Sequence, residues 1–429
     1  MIFLRASSAN LSHRTRQSLA QLRERALVRS CASCTRWWRT LVLVVCIALS
    51  PSTGRPHDPS AWGGLFRSRD GGATWLAVDA GSFVSGAVGL AISPVTSTHL
   101  LLAVESGVLA SENGGRDWTV QAPDVLVGAA FAAAYDADGA RALVSGASAL
   151  FKRDGGRWQP VRAPAGATPA RALARGSVAG RVYLAGWSGF YRSDDWGTSW
   201  ADASDGLGPD PIEVVVVGAG PPEVVYAIAG GRLWASDDGA LRWRPCDTGS
   251  PSARAVAVAL DDADGARVWA LANGQLFRSD DRGARWVPIG RPLPDPQPRV
   301  RGLVVLGPTV LLTTDQGLYR SPNGGERWDL HTDNLPAHLE AGPLVRDPAL
   351  PATVYAGFAF TPYAELWRRA AEGGSPLLRL DATALAGAGA FLALLVLCSV
   401  AAIRRLRASH YRTPFLAPPA TAARGQRVR

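Results

Sequence analysis

A fixed period constrains this chain more than anything else in it. Seven tryptophans, Trp75, Trp118, Trp158, Trp200, Trp243, Trp286 and Trp328, follow one another at intervals of 43, 40, 42, 43, 43 and 42 residues. Each closes the same short box: a Ser, an Asp or Asn two positions on, a Gly two beyond that, and the Trp three further. The box reads Ser68, Asp70, Gly72 and Trp75, then Ser111, Asn113, Gly115 and Trp118, then in shortened form Lys152 to Trp158. It returns as Ser193, Asp195, Gly197 and Trp200, as Ser236, Asp238 and Trp243 with Ala240 in place of the Gly, as Ser279, Asp281, Gly283 and Trp286, and as Ser321, Asn323, Gly325 and Trp328. A period in this range filled with short strands signals a repeat architecture, and four strands per repeat fits a propeller blade rather than a helical solenoid.

The segments before each box alternate as β-structure does. Val224 to Ala229 meets a Gly230-Gly231 turn, and Arg232 to Ser236 then runs into the box. Val182 to Ala185 and Val268 to Leu271 repeat the first half, while Gly189 to Arg192 and Gln275 to Arg278 repeat the second. These are β-branched and aromatic runs bounded by turn residues. One strand earlier lies another apolar run such as Ala255 to Leu260, followed by a turn rich in Asp and Gly, Asp261 to Gly265. With the strand that begins at the box Trp, every unit has four strands.

The residue types of the box follow from its chemistry. Ser and Asp oxygens accept hydrogen bonds from the amides of a tight turn, and Gly permits a positive φ where a Cβ would clash. The Trp then fills the gap between neighbouring sheets, a burial worth roughly 1.5–3 kcal/mol. Equivalent carboxylates in so many copies cannot all belong to one active site, so these Asp residues are structural.

The boxes and their spacing resemble those of the Asp-box (BNR) repeat family over residues 61–370. In that family the box turn joins the outer two strands of propeller blades, in sialidases, sortilin-like receptors, xyloglucan-cleaving glycosidases and photosystem II assembly-factor-like proteins. Enzymes and non-enzymes share it, so the resemblance implies a fold and leaves the activity open. The segment Arg346-Asp347-Pro348 to Gly357 resembles the turn-then-strand repeat of the assembly-factor-like group.

The two ends of the repeat region complement each other. The first box, Gly64 to Trp75, has no apolar strand pair before it, and the last pair, Leu344-Val345 and Thr353 to Gly357, has no good box after it. Joining them predicts seven blades, with residues near 64–78 completing the sheet begun near 342–358 and abolishing a free edge. Glu365 to Arg369 reads as a redundant third strand, which leaves an eighth blade open.

Charge lies outside the repeats. Of the net +9, residues 1–40 carry +7 and residues 404–429 carry another +7; subtracting both from +9 leaves −5 for residues 41–403. The ends read as membrane topology. Leu41 to Leu49 is an apolar run after Arg36 and Arg39, too short for a span and the right length for a secretory signal core, with Ala48-Leu49-Ser50 as the cleavage region. An uncleaved anchor is the alternative for this 1–50 segment. Residues 382–403 give 22 positions without a charge, enough to cross a bilayer, and Arg404, Arg405 and Arg407 follow at once. Arginine on that flank places the 404–429 tail in the cytoplasm and the propeller outside. Only Tyr411 and Phe415 accompany the tail's arginines, so it reads as an orientation signal rather than a nucleic-acid site.

Cysteine usage adds little. Cys246 is the single cysteine of the repeat region, so no internal disulfide is expected there. Cys31 and Cys34 would need two further ligands to hold zinc, and only His13 is near. The six His residues show no ligand spacing, and neither metal nor cofactor is expected.

Counting from each box Trp into the next innermost strand selects Arg171, Glu213, Arg254, Arg301 and Glu340, which should ring the mouth of the central channel. Such a ring suits an anionic or sugar-like ligand or the acidic loop of a protein partner, since Arg can grip a carboxylate bidentately; alternatively the charges neutralise one another. Exposed aromatics would support sugar binding, and Trp187 and Trp196 are the candidates, Trp196 as an outward-facing oddity within its own box. The resemblance to sialidases implies an Arg-(Ile/Leu)-Pro motif before the first box, which Pro51 to Phe66 lacks. Glycosidase chemistry needs two carboxylates about 5–10 Å apart; Glu213 and Glu340 fall three blades apart. The expected protein is a membrane-anchored, extracytoplasmic seven-bladed propeller that acts as a protein-binding or assembly scaffold, with a cell-surface glycosidase or a carbohydrate-binding module as alternatives.

Overall fold

The structure, a computed structural model, describes residues 63–371 apart from 80–83, 85, 221, 249–252, 261–265 and 337, together with 382–410. The expected signal segment, the Asp261 to Gly265 turn and the tail beyond 410 lie outside the described residues. Among those described, the strands form seven four-stranded antiparallel sheets. Six are consecutive in sequence, spanning 87–120, 130–161, 172–202, 212–245, 255–289 and 300–331. The seventh joins Glu340–Arg346 and Val354–Ala359 from one end to Gly64–Ser68 and Leu76–Ala77 from the other. The predicted closure is therefore observed, with Phe66 opposite Ala356 and Ser68 opposite Val354 in the seam. The first strands of successive sheets touch in an unbroken ring, Glu340–Arg346 meeting Ala87–Ile92, which makes a seven-bladed propeller around a central channel.

The second strand of every blade carries the core. Leu100–Val104, Ala142–Gly146, Val182–Ala185, Val225–Ala229, Val268–Ala272 and Val354–Ala359 are buried at every position, because both faces of these strands meet a neighbouring blade. That is why they read as continuous apolar runs rather than as alternation.

The boxes form as their chemistry requires. In six of them the Ser Oγ accepts the amide of the residue four positions on at 2.8 Å, from Gly72, Gly115, Gly197, Ala240, Gly283 and Gly325. The Ser hydroxyl donates to the Asp or Asn Oδ1, at 2.8 Å in Ser68 to Asp70 and 3.0 Å in Ser321 to Asn323. That oxygen in turn accepts amides three and four residues on, as Asp70 does from Ala73 and Thr74. Gly72 needs both of its freedoms: its φ is +82°, and a Cβ there would stand 2.7 Å from Leu311 of the adjacent blade. Ala240 takes the equivalent left-handed turn at φ +65° with a Cβ. The shortened third copy is a two-residue hairpin, Gly155-Gly156, with φ of +53° and +78°, the backbone signs of a type I′ turn. The indoles bridge blades: Trp118 Nε1 donates to Val78 O, Trp243 to Ala203 O and Trp328 to Arg291 O.

These turns carry a pH dependence. Partial burial raises the Asp70 carboxyl, but hydrogen bonds from the Thr74 hydroxyl and amide, the Ser68 hydroxyl and the Ala73 amide outweigh it and hold the group at about 2. Asp195, bonded likewise to Ser199, Ser193 and Thr198, also sits at about 2. A carboxyl lower in the folded than in the unfolded chain stabilises above its unfolded pKa of 3.8 and loses that contribution as pH falls towards 2. Urea unfolding at pH 4.5 and 2.5 is expected to show a smaller loss in Asp70→Asn than in the parent, since Asn113 and Asn323 show that an amide holds the same turn. Asp79 works the other way. Burial pushes its carboxyl up to about 6 against hydrogen bonds from backbone amides, so ionising it lowers stability between pH 4 and 6. Asp79→Asn is expected to gain about 1–2 kcal/mol at pH 7 and nothing below pH 4 in the same titration.

Two expectations are corrected. Trp196 does not face outward: at a φ of +56° it is 0 % exposed, its indole packed among Leu143, Leu150, Val182 and Leu184. Glu365 to Arg369 forms no strand but lies in helix α1, Tyr363–Ala371. A second helix, α2, covers Ala382–His410. Among the described residues no helix is long and apolar enough to cross a membrane, which leaves the expected span at 382–403 unsupported here; the side chains described on α2 begin only at 390.

Candidate functional site

The connectors between blades and the turns between second and third strands share one end of the propeller, and the innermost strands begin there. Helix α1 follows Val354–Ala359 directly and lies across that end. Its first residue fixes it. The Tyr363 amide donates to Glu340 Oε2 at 2.8 Å and the Tyr363 hydroxyl to Ala87 O at 2.5 Å, which ties the closing blade to the next one. The Arg301 guanidinium stacks over the Tyr363 ring at 5.1 Å and gives its NH2 to Glu340 Oε2 at 2.7 Å. Burial drives the Tyr363 phenol far above its usual range. The ring needs the absence of a side chain beneath it, because a Cβ on Gly342 would stand 1.9 Å from the phenol. Gly342→Ala is therefore expected to expel Tyr363 and unseat α1, read as faster hydrogen exchange across 363–371 while the boxes stay protected.

Between α1 and the inner strands lies a cavity of about 630 Å³, lined by Arg171, Trp187, Glu213, Arg301, Ala364, Trp367 and Arg368. Three of the five residues selected from the sequence thus line one cavity, and Glu340 joins them through its bond to Arg301. Arg254 does not: it is exposed, and its Nε lies against the turn at Gly231. Arg171 packs over the Trp187 ring at 4.1 Å. Burial lowers its pKa while the Glu213 carboxylate pulls it back up. Trp187, 38 % exposed, meets Trp367 edge-on at 6.4 Å, and Trp367 packs on Phe131 at 4.7 Å. Reading Glu365 to Arg369 as a strand hides Trp367 and Arg368; the spacing of Tyr363, Trp367 and Arg368 is the helical signal in this stretch. Arg368 pairs with Glu365 at 2.6 Å.

A second cavity, of about 360 Å³, opens at the box end between two blades. Beside it Glu223, only 5 % exposed, accepts Tyr183 Oη at 2.6 Å, Arg181 NH1 at 2.8 Å and the Ser177 hydroxyl and amide. Arg181 continues to Asp194 at 2.6 Å, and Asp194 to Arg192 at 2.7 Å. Burial raises the Glu223 carboxyl, and these donors more than offset it, leaving it below its usual range. Every oxygen of Glu223 is occupied within the fold, so this network joins blades. Among the described residues no group of His, Cys, Asp or Glu could hold a metal ion.

No family model matches the chain, and no curated protein does. Solved structures do. A GH74 xyloglucanase from Xanthomonas campestris shares 22 % identity over 62 % of this chain and 51 % of its own, with a TM-score of 0.50. The extracellular domain of the one-component system BT4673 from B. thetaiotaomicron shares 13 % over 65 % of this chain and 38 % of its own, at 0.51. YCF48 bound to a D1 peptide shares 16 % over 65 % of this chain and 94 % of its own, at 0.49. The chain spans about half the length of the xyloglucanase. At these identities the likeness establishes the propeller and nothing finer.

Proposed function

We propose that the chain is an Asp-box propeller that serves as a protein-binding or assembly scaffold, with its partner surface at the connector end. The observation that carries this reading is the lining of the mouth cavity, which holds one carboxylate, Glu213. Glu340, the second acid of the expected pair, is committed to Arg301 and to the Tyr363 amide and is poorly placed to give or take a proton. Retaining and inverting glycosidases both need two such groups. At the same end Val127 and Phe360 stand 75 % and 65 % exposed, the kind of apolar side chain a partner covers. Incubating the protein with sialosides and β-glucan oligosaccharides is expected to give no hydrolysis, and photo-crosslinkers at positions 127 and 360 are expected to capture a protein. Turnover that disappears in Glu213→Gln would overturn the scaffold in favour of the glycosidase. Binding of a glycan without turnover would favour a carbohydrate-binding module.

The propeller is proposed to sit outside the cytoplasmic membrane, held by one span at 382–403, with a signal segment within 1–50 and the 404–429 tail in the cytoplasm. Support comes from the uncharged run of 22 residues and its arginine flank, and from Phe391, Leu394, Val396 and Leu397, all more than half exposed on α2. Resistance of the chain to carbonate extraction, with protease cleaving the propeller only from the outer side, is the expected result; full release by carbonate would remove the anchor.

A further inference from the structure

Among the described residues, two opposite charges in the mouth cavity have no bonded partner. Arg301 is paired with Glu340 and Arg368 with Glu365, so these four cancel. Arg171 lies over the Trp187 face and feels the Glu213 charge at longer range, half-buried and without a hydrogen bond or ion pair from its guanidinium among the described residues. Glu213 lines the same space, exposed and likewise without a bonded partner among those residues. A half-desolvated guanidinium left unpaired is costly, and it is built to meet a carboxylate. A simple anion would meet Glu213, and a simple cation would meet Arg171. A molecule carrying both charges satisfies each.

The remaining walls are Trp187, Trp367 and Ala364. The two indoles stand 71° apart and form a corner suited to a flat apolar group, which aromatic rings meet edge-on or offset. At about 630 Å³ the space falls within the range of small-molecule sites, and its make-up, apolar walls with a few placed charges, is theirs too. We propose that the mouth cavity binds a free α-amino acid with an aromatic or similarly flat apolar side chain, its carboxylate on Arg171, its ammonium on Glu213 and its side chain in the corner of Trp187 and Trp367. This goes beyond the scaffold reading and does not depend on it: a partner can dock on Val127 and Phe360 whether or not the cavity is filled.

Equilibrium dialysis of the full chain in lipid nanodiscs with radiolabelled L-phenylalanine tests it. Saturable binding at one site per chain is expected, with N-acetyl-phenylalanine, phenethylamine and glycine each at least tenfold weaker as competitors, since each lacks one of the three features. Arg171→Met is expected to weaken phenylalanine at least tenfold while leaving phenethylamine unchanged, and Glu213→Gln to weaken phenylalanine while leaving N-acetyl-phenylalanine unchanged. Arg171→Lys and Glu213→Asp should restore part of the loss in chains whose thermal transition matches the parent's. No saturable binding of phenylalanine, equal binding of N-acetyl-phenylalanine, tighter binding of an acidic peptide, or parent-like binding by both charge-removing variants would each overturn the proposal. Crosslinking at positions 127 and 360 reports separately on the scaffold.

Discussion

Replacing Glu223 with alanine is expected to lower the free energy of unfolding by about 3–5 kcal/mol, the cost of removing one member of a buried ion pair. The carboxylate is almost wholly buried and accepts donors from three residues of the preceding blade, Ser177, Arg181 and Tyr183. Without it, Arg181 keeps Asp194 as its remaining partner, and the fully buried Tyr183 hydroxyl loses its acceptor. Glu223→Gln is expected to cost less, because a neutral acceptor still serves the hydroxyls. Tyr183→Phe removes one donor and should cost about 1–2 kcal/mol, with a coupling energy to Glu223→Ala in the double-mutant cycle. Chemical denaturation followed by circular dichroism gives these values. A loss below 1 kcal/mol for Glu223→Ala would mean that water replaces the carboxylate and that the network contributes little to holding the two blades together.

The second large effect is expected at the seam. Trp75→Ala should cost about 3–5 kcal/mol, more than the same change at Trp118 or Trp328. Trp75 is fully buried and packs with Phe66, Leu311, Val354 and Phe358, where the first strand of the described chain closes onto the last. Trp118 and Trp328 are only partly buried; Trp328 sits between blades that are consecutive in sequence, and Trp118 packs on the outer edge of the closing blade through Val78. Opening the seam exposes strand edges from both ends of the propeller, whereas loosening an interior contact leaves its neighbours joined. Denaturation of the three variants side by side distinguishes the cases. Equal losses at all three positions would show that the closure is no more sensitive than any other blade contact.

Much of this architecture could be read from local pattern. The box recurs once in every blade, and its residue types encode their own backbone geometry, so the blade number and the partition of the closing blade follow from counting. Trp196 did not follow: an aromatic at a left-handed turn position can point either way, and the inward direction depends on Leu143 and Leu184 in adjacent sheets. Helix α1 is not legible in the sequence, because a nine-residue stretch with an aromatic centre and charged flanks is ambiguous between strand and helix. Its fate is decided by Tyr363 finding a slot over Gly342 and acceptors in Ala87 and Glu340, none of which is near it in sequence.

The candidate site divides in the same way. Period and offset placed Arg171, Glu213 and Arg301 at the channel mouth, because a repeat fixes which residue of each blade begins the inner strand. Which of those charges are cancelled and which are left open is a property of the assembled ring. Arg301 is neutralised by Glu340 from the next blade, Arg254 turns aside to Gly231, and Arg171 is left facing Trp187. The sequence by itself determined the propeller, since every box carries its turn chemistry within a few residues. Only the tertiary structure decided the chemistry of the mouth, since pairing there depends on side chains that the chain brings together from opposite ends of the ring.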